Sequence, residues 1–323
     1  MSNTQTQHIV HMNEYISPEE FDRLNRLMDL CCRQDGINLK LELDYKLHLY
    51  HLADKNSTKP SGKLYELLYY IGEELIAYLG ISCFDGVTGE LCGMTHPDYR
   101  EQGIFHRLLA LAANECKHLN FQKLLLLADG NSESGMRFLK ANTSSFAHSE
   151  YRMKRLTATP DTPNHITAQA INSQEKDRTE VASGIIIRLA KEEDEREIAR
   201  QNAIFFDDKE MDEITGEYKI TPLVDQPENY KTYMLELGSS VVGKINVEYN
   251  GSYAFICGFG ILPEYRRKGY GRQGLQETLK LIEAAGVTVT ELDVVCTNSN
   301  ALGLYQSCGF VEQSVMNYYN LSL

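Results

Sequence analysis

Pro263-Glu264-Tyr265-Arg266-Arg267-Lys268-Gly269-Tyr270-Gly271-Arg272 is the stretch on which the reading of this chain turns. Ahead of it, Tyr253 to Leu262 is apolar and strand-like; behind it, Gly271 to Ala285 carries helical periodicity, so the decapeptide joins a strand to a helix. The first amides of a helix have no intrahelical acceptor and carry partial positive charge, which makes them a socket for a phosphate or pyrophosphate. Gly269 and Gly271 let the backbone approach an anion closely and allow positive φ in the turn. Arg266, Arg267, Lys268 and Arg272 form a positive island on a chain of net charge −13. Such an island suits a small polyanion better than a nucleic-acid duplex, which needs a wider basic face. A Walker loop is excluded, because no Gly-x-x-x-x-Gly-Lys-Ser/Thr occurs. A dinucleotide fingerprint would have to use Gly258-Phe259-Gly260, inside the strand and without a third glycine in place. A charged turn that binds nothing is the plain alternative.

Working outward, a buried strand follows the helix (Thr288 to Cys296), and then a short helix from about Asn300 to Ser307. The first half repeats the plan. Pro97-Asp98-Tyr99-Arg100-Glu101-Gln102-Gly103 matches Pro263 to Gly269 at a spacing of 166 residues. Asn131-x-x-Ser134-x-x-x-Phe138 matches Asn298-x-x-Ala301-x-x-x-Tyr305 at a spacing of 167. Two motifs at nearly one spacing imply duplication of one domain type. A helix near Phe105 to His118 and a strand Lys123 to Ala128 complete the first copy. Between the copies, 157–184 is poor in large apolar residues and reads as a linker. After it, Ile185 to Leu189 reads as a strand and Ala190 to Phe206 as a helix. The expected domains are therefore 1–156 and 185–323, each an α/β unit.

These residues resemble a known family. Arg266-x-x-Gly269-x-Gly271 is similar to the acetyl-CoA signature of the GNAT acetyltransferase superfamily, and Asn298-x-x-Ala301-x-x-Leu304-Tyr305 with Cys308-Gly309-Phe310 looks like its second hallmark. The two occur in order, about thirty residues apart. The likeness covers most of 185–323 and, more weakly, about 8–156, so the chain resembles a tandem GNAT protein. The resemblance implies two α/β domains, each a mixed, mainly antiparallel sheet splayed at its centre and flanked by helices. It further implies that the backbone near Phe259, Ile261 and Leu262 pairs with the pantetheine arm of acetyl-CoA like an added strand. By the same carry-over, the N–H groups from Arg267 through Lys268, Gly269, Tyr270 and Gly271 to Arg272 hold the pyrophosphate, beside Arg266. Asn298 contacts the cofactor arm and Tyr305 stands next to the thioester sulfur. A phenol of pKa ~10 can protonate a departing thiolate, which makes Tyr305 the candidate catalytic residue; aromatic packing is its structural alternative.

No general base is evident. Relatives often use a Glu on the strand before the turn, whereas Tyr253-Ala254-Phe255-Ile256-Cys257-Gly258-Phe259 holds no carboxylate. Glu248, just upstream, is a candidate to act through water, or is a solvated residue at a strand end. The acidic stretch Asp207-Asp208-Lys209-Glu210-Met211-Asp212-Glu213 falls where the family places the acceptor side, suggesting a cationic amine acceptor; the alternative is a solvated face. The first copy departs from the pattern. Phe105 stands where Gly271 does, Phe138 replaces Tyr305, and Glu101 and Gln102 replace Arg267 and Lys268. Cofactor binding there is compatible with the retained Gly103, and catalysis less so, because Phe138 has no proton to give.

Composition narrows the alternatives. With 42% hydrophobic and 24% charged residues the chain is of ordinary globular make-up. Apolar runs such as Leu124 to Ala128 fall far short of the ~20 residues of a membrane helix. The polar start of the chain shows no signal or lipidation pattern, and a cytoplasmic protein is expected. Net charge −13 argues against broad nucleic-acid or anionic-membrane binding. The eight cysteines include no Cys-x-x-Cys pair and read as reduced thiols. His8/His11 and His48/His51 lack the company a metal site needs, so no metal is expected. The expected activity is transfer of an acetyl group from acetyl-CoA to a small-molecule or peptide amine, carried by the second copy. A non-catalytic CoA-binding protein and an aminoacyl-tRNA-dependent transferase are the alternatives; the latter fits the charge poorly.

Overall fold

The alternation of strand and helix patterns is realised in a computed structural model that describes residues 7–55, 62–157, 184–206, 218 and 220–322. Two compact units result: Met1–Tyr151 with Ser314–Leu323, and Arg152–Gln313. Among the described residues no helix is long and apolar enough to cross a membrane.

The first unit opens with β1 (His8–Asn13), α1 (Pro18–Asp35) and α2 (Leu43–Lys55). Ser17 and Glu20 close a capping box at the start of α1, and Gly36 ends it in the left-handed conformation at φ 65°. There follow β2 (Glu66–Ile71), β3 (Glu74–Ser82), β4 (Thr88–Thr95), α3 (Ile104–His118), β5 (Lys123–Asp129), α4 (Glu133–Asn142) and β6 (Ser145–Leu156). Strands β1 to β4 pair antiparallel in order, and β4 pairs parallel with β5 from Thr88↔Lys123 to Leu91↔Leu126. One side of this sheet buries Leu108, Ala112 and Cys116 of α3. The other buries Leu24, Leu27 and Cys31 of α1.

The second unit repeats the order with β7 (Ile186–Leu189), α5 (Glu195–Phe206), β8 (Tyr230–Leu237), β9 (Ser240–Asn250), β10 (Tyr253–Ile261), α6 (Tyr270–Ala284), β11 (Val289–Val295) and α7 (Ser299–Ser307); β12 (Val311–Leu321) ends the chain. β7 to β10 pair antiparallel, and β10 pairs parallel with β11 from Tyr253↔Val289 to Ile256↔Leu292. Each unit thus has the mixed, mainly antiparallel sheet with flanking helices that the motifs imply. Element ends fall within a residue or so of the sequence reading, with one exception. The helix expected from Ala190 begins at Glu195, because the Ala190 amide still bonds the Thr232 carbonyl at 2.8 Å and Glu192–Asp194 form a 3₁₀ turn.

The compact units are not the contiguous halves 1–156 and 185–323. The first takes in the end of the chain: Met316 to Leu321 of β12 pair antiparallel with Asp129 to Leu124 of β5. The second takes in the end of β6, where Arg152 grips Asp293 at 2.5 and 3.0 Å and the Arg155 Nε–H reaches the Cys308 carbonyl at 3.1 Å. Pairing partners distant in sequence leave no local signature, which is why a chain-order reading draws these borders differently. The expected linker falls almost wholly outside the described residues, as do Asp207 to Glu213.

Candidate active site

In the second unit, β10 and β11 part company after Ile256 and Leu292. Beyond that point β10 keeps its pairing with β9, interrupted by a register shift between Cys257 and Gly260, where Gly258 sits at φ 60°. This bulge explains a detail of the duplication. Cys92 and Cys257 each follow the last parallel-paired residue of their strand, yet Pro97 and Pro263 lie one residue further apart than these cysteines do. The extra residue is the bulge, absent from β4, whose pairing with β3 runs without a shift from Thr95 to Glu90. Phe259 and Ile261 lie on this length of β10 and Leu262 just past its end, where, against the expectation of a free pairing edge, its carbonyl already accepts from the Tyr265 amide at 2.9 Å. Ile261 and Leu262 bury their side chains in the core, and the Leu262 amide bonds the Val242 carbonyl at 2.9 Å.

The turn after β10 holds two departures into left-handed backbone, Arg267 at φ 62° and, two residues on, Gly269 at φ 87°, mirrored by Glu101 at 60° and Gly103 at 77° in the first unit. Gly269 is the N-cap of α6 and offers no side-chain cap, so the first amides of the helix keep their hydrogen-bonding capacity for a ligand. A Cβ on Gly271 would meet Ile261, Leu304 and Phe259 at 3.6–3.9 Å, ordinary contact, so the position borders open space rather than packed core. The basic side chains are held in different ways. Arg266 Nε donates to the Ile261 carbonyl at 2.7 Å, as Arg100 does to Thr95 at 3.1 Å; both clamp the strand end to the turn. Arg267 bonds Asn300 at 2.8 Å, Lys268 the Glu264 carbonyl at 2.9 Å and Arg272 Ser307 at 3.2 Å, all on exposed ground. Tyr270, half-buried, is the first residue of α6.

Asn298 caps α7, its side-chain oxygen accepting from the Ala301 amide at 3.2 Å, which leaves the amide nitrogen for other contacts. Tyr305 is 8% exposed and stands edge-on to Phe310 at 6.0 Å. Burial pushes its phenol up to about 12, so it holds its proton at neutral pH. Glu248 is half-buried at the end of β9 and accepts from Asn250 at 3.0 Å and Asn229 at 3.4 Å.

Sequence reasoning missed the polar lining between β9 and β10. Lys244 and Asn246 are buried, the Lys244 ammonium bonds the Gly258 carbonyl at 3.2 Å, and Cys257 meets the Tyr230 hydroxyl at 3.7 Å. The signal lay in Lys244-Ile245-Asn246-Val247-Glu248, where every second residue of an apolar strand is polar and shares one face.

The first unit keeps the frame but fills it otherwise. Phe105 stacks edge-on against Phe138 at 5.0 Å, and the Arg137 guanidinium pairs with Glu101 at 3.2 Å beside the turn. A cavity of about 400 Å³ remains there, bordered by Met94, Thr95, Gly103, Phe105, Phe138 and Asp129 among others.

A split parallel pair opening onto an uncapped helix, twice in one chain, defines a tandem GNAT fold. The chain belongs to the acetyltransferase (GNAT) family, whose model matches at residues 25–141 and again at 191–310. The [ribosomal protein bS18]-alanine N-acetyltransferase of Escherichia coli K12 is 29% identical over 96 residues, a match covering 29% of this chain and 65% of that protein. Mycothiol acetyltransferase of Thermobispora bispora is 25% identical over 269 residues, covering 79% of this chain and 83% of that protein. Among solved structures, a tandem GNAT protein from the clavulanic acid biosynthesis pathway superposes with a TM-score of 0.62 at 12% identity, covering 98% and 99% of the two chains; at that identity the likeness concerns the fold. The names of both curated relatives describe acetyl transfer, and the chain spans just under two thirds of the length of the first of them.

Proposed function

We propose that this protein transfers an acetyl group from acetyl-CoA to a primary amine by direct attack, in its second unit. The observation that carries the reading is the uncapped N-terminus of α6, set beyond the point where β10 and β11 separate. The residues fit the co-substrate. The amides from Arg267 to Arg272 suit a pyrophosphate, the edge of Phe259 and Ile261 turned away from β9 suits the amides of a pantetheine arm, and the Asn298 side-chain nitrogen is available to it; Leu262, whose amide bonds Val242 and whose carbonyl accepts from Tyr265, contributes its position rather than a free backbone group. Arg266 contributes by holding the strand end in place. Acetyl-CoA supplies the activated acyl group as a thioester. Tyr305 keeps a proton at its hydroxyl for a departing thiolate. The rest of the rate enhancement comes from holding amine and thioester together and from backbone dipoles near the bulge.

Support for placing the chemistry in the second unit is the contrast between Tyr305 and Phe138, and between Gly271 and Phe105. Calorimetric titration with acetyl-CoA, followed by an amine panel read by thiol release, tests the reading. One site abolished by Gly271→Phe, with CoA released in the presence of an amine, is the expected result. Binding without turnover against any amine would make this a CoA-binding protein, and no binding at all would remove the assignment. The expectation of a cationic acceptor rests on residues outside those described.

A further inference from the structure

Lysine is almost never fully buried without a counter-charge, because removing an ammonium from water costs more than one neutral hydrogen bond returns. Lys244 is 0% exposed. Its contacts among the described residues are the Gly258 carbonyl at 3.2 Å and the ring of Phe206, whose centroid lies 5.5 Å from Nζ. No carboxylate among those residues pairs with it. Among the described residues two of its three donors are therefore unused, and beside it the Asn246 side-chain oxygen is buried with no hydrogen-bond partner among those residues.

The duplication supplies an internal comparison. Asn246 pairs with Cys257 across the strands, as Gly80 pairs with Cys92 in the first unit. At that place the first unit also buries an ammonium, Lys46, which lies 3.0 Å from where a Gly80 Cβ would stand. That ammonium has its counter-charge: it bonds Glu66 at 2.6 Å and the Ile81 carbonyl at 3.1 Å, and Tyr78 donates to the same carboxylate. Glu66 is the β2 residue opposite Gly80; its counterpart, the β8 residue opposite Asn246, is Thr232. One copy of the fold carries its carboxylate, and the other has a neutral hydroxyl in its stead.

We propose that Lys244 binds a carboxylate carried by the acceptor, so that the substrate class is an amine bearing a carboxylate, of amino-acid type. The missing anion then arrives with the substrate, beside the bulge of β10, and the Asn246 oxygen is free to accept from the substrate's N–H groups. The ring of Phe206, 49% exposed at the end of α5, lies 5.5 Å from the ammonium, and binding requires that ring to move aside. Burial pushes the Lys244 ammonium down to about 8, opposed in part by Cys257. The inference names the acceptor of the proposed transferase and rests on that reading for the reaction, although not for the binding.

Binding is measured by calorimetry for a series of amino acids with one to four carbons between amine and carboxylate, each against its decarboxylated amine. The proteins are the wild type, Lys244→Met and Thr232→Glu, the last restoring the internal carboxylate of the first unit. The expected result is at least one amino acid bound about tenfold or more tightly than its amine, the preference vanishing in both variants while acetyl-CoA binding and the circular dichroism spectrum hold. Equal binding of acid and amine, a preference surviving in the variants, no binding of any pair, or selection of a phosphate-bearing amine over its carboxylate analogue would each overturn the proposal. Should Lys244→Met fail to fold, Thr232→Glu decides alone. Carboxylate selection without release of CoA would leave Lys244 in place and sink the transferase reading instead.

Discussion

At the scale of single residues, Tyr305 and Glu90 show how burial sets a proton's place. In the proposed mechanism Tyr305→Phe removes the donor to the leaving thiolate and preserves the ring packed on Phe310. kcat is expected to fall by about a hundredfold, with acetyl-CoA affinity by calorimetry holding; unchanged turnover would take Tyr305 out of the mechanism. Glu90 concerns stability. Burial, offset by Lys40 and reinforced by Glu150, lifts its carboxyl from 4.5 to about 7. The folded state therefore keeps a proton that the unfolded chain gives up near pH 4.5. This contribution is complete below that pH and is lost as pH rises through 7. Thermal melts between pH 4.5 and 7.5 are expected to show a decline that Glu90→Gln flattens. Tyr305 was legible because its motif is local; Glu90 was not, since its neighbours come from separate segments.

At the scale of elements, the bulge in β10 distinguishes the two copies. A methyl group on Gly258 would run into the Asn246 amide, and the φ of 60° disfavours any L-residue. Gly258→Ala is expected to cost about 1–2 kcal/mol for the left-handed backbone alone, read as a lowered urea midpoint, together with weaker acceptor binding. A variant as stable as wild type would mean that β10 can straighten as β4 does. The strand, turn and helix around Gly269 were readable from apolar runs and turn residues. The bulge left a trace only as a one-residue change in the spacing of the repeat, and the polar face of β9 as an alternation within one strand.

At the scale of the whole molecule, β12 completes the first unit although it follows the second along the chain. Met316 and Tyr318 of β12 are 9% and 1% exposed and pack in the cluster that holds α1. Each such side chain contributes about 1.5–3 kcal/mol by burial. Truncation after Gln313 is therefore expected to destabilise the first unit, although the cut lies some 160 residues beyond β6. Hydrogen exchange would show lost protection in α1 and β5, with α6 and β10 retained; loss confined to α6 and β10 would contradict the assignment of β12.

What the sequence determined by itself was everything that depends on neighbours along the chain: two copies of one α/β plan, the strand–turn–helix around Gly269, and the family to which both belong. Hydrophobic periodicity and turn chemistry act over a few residues and can be read in one dimension. Tertiary structure alone decided which strand completes which unit, and that Lys46 meets a carboxylate where Lys244 meets none among the described residues. Those outcomes depend on pairing across the sheet, where a residue's electrostatic surroundings are set by strands far away in sequence.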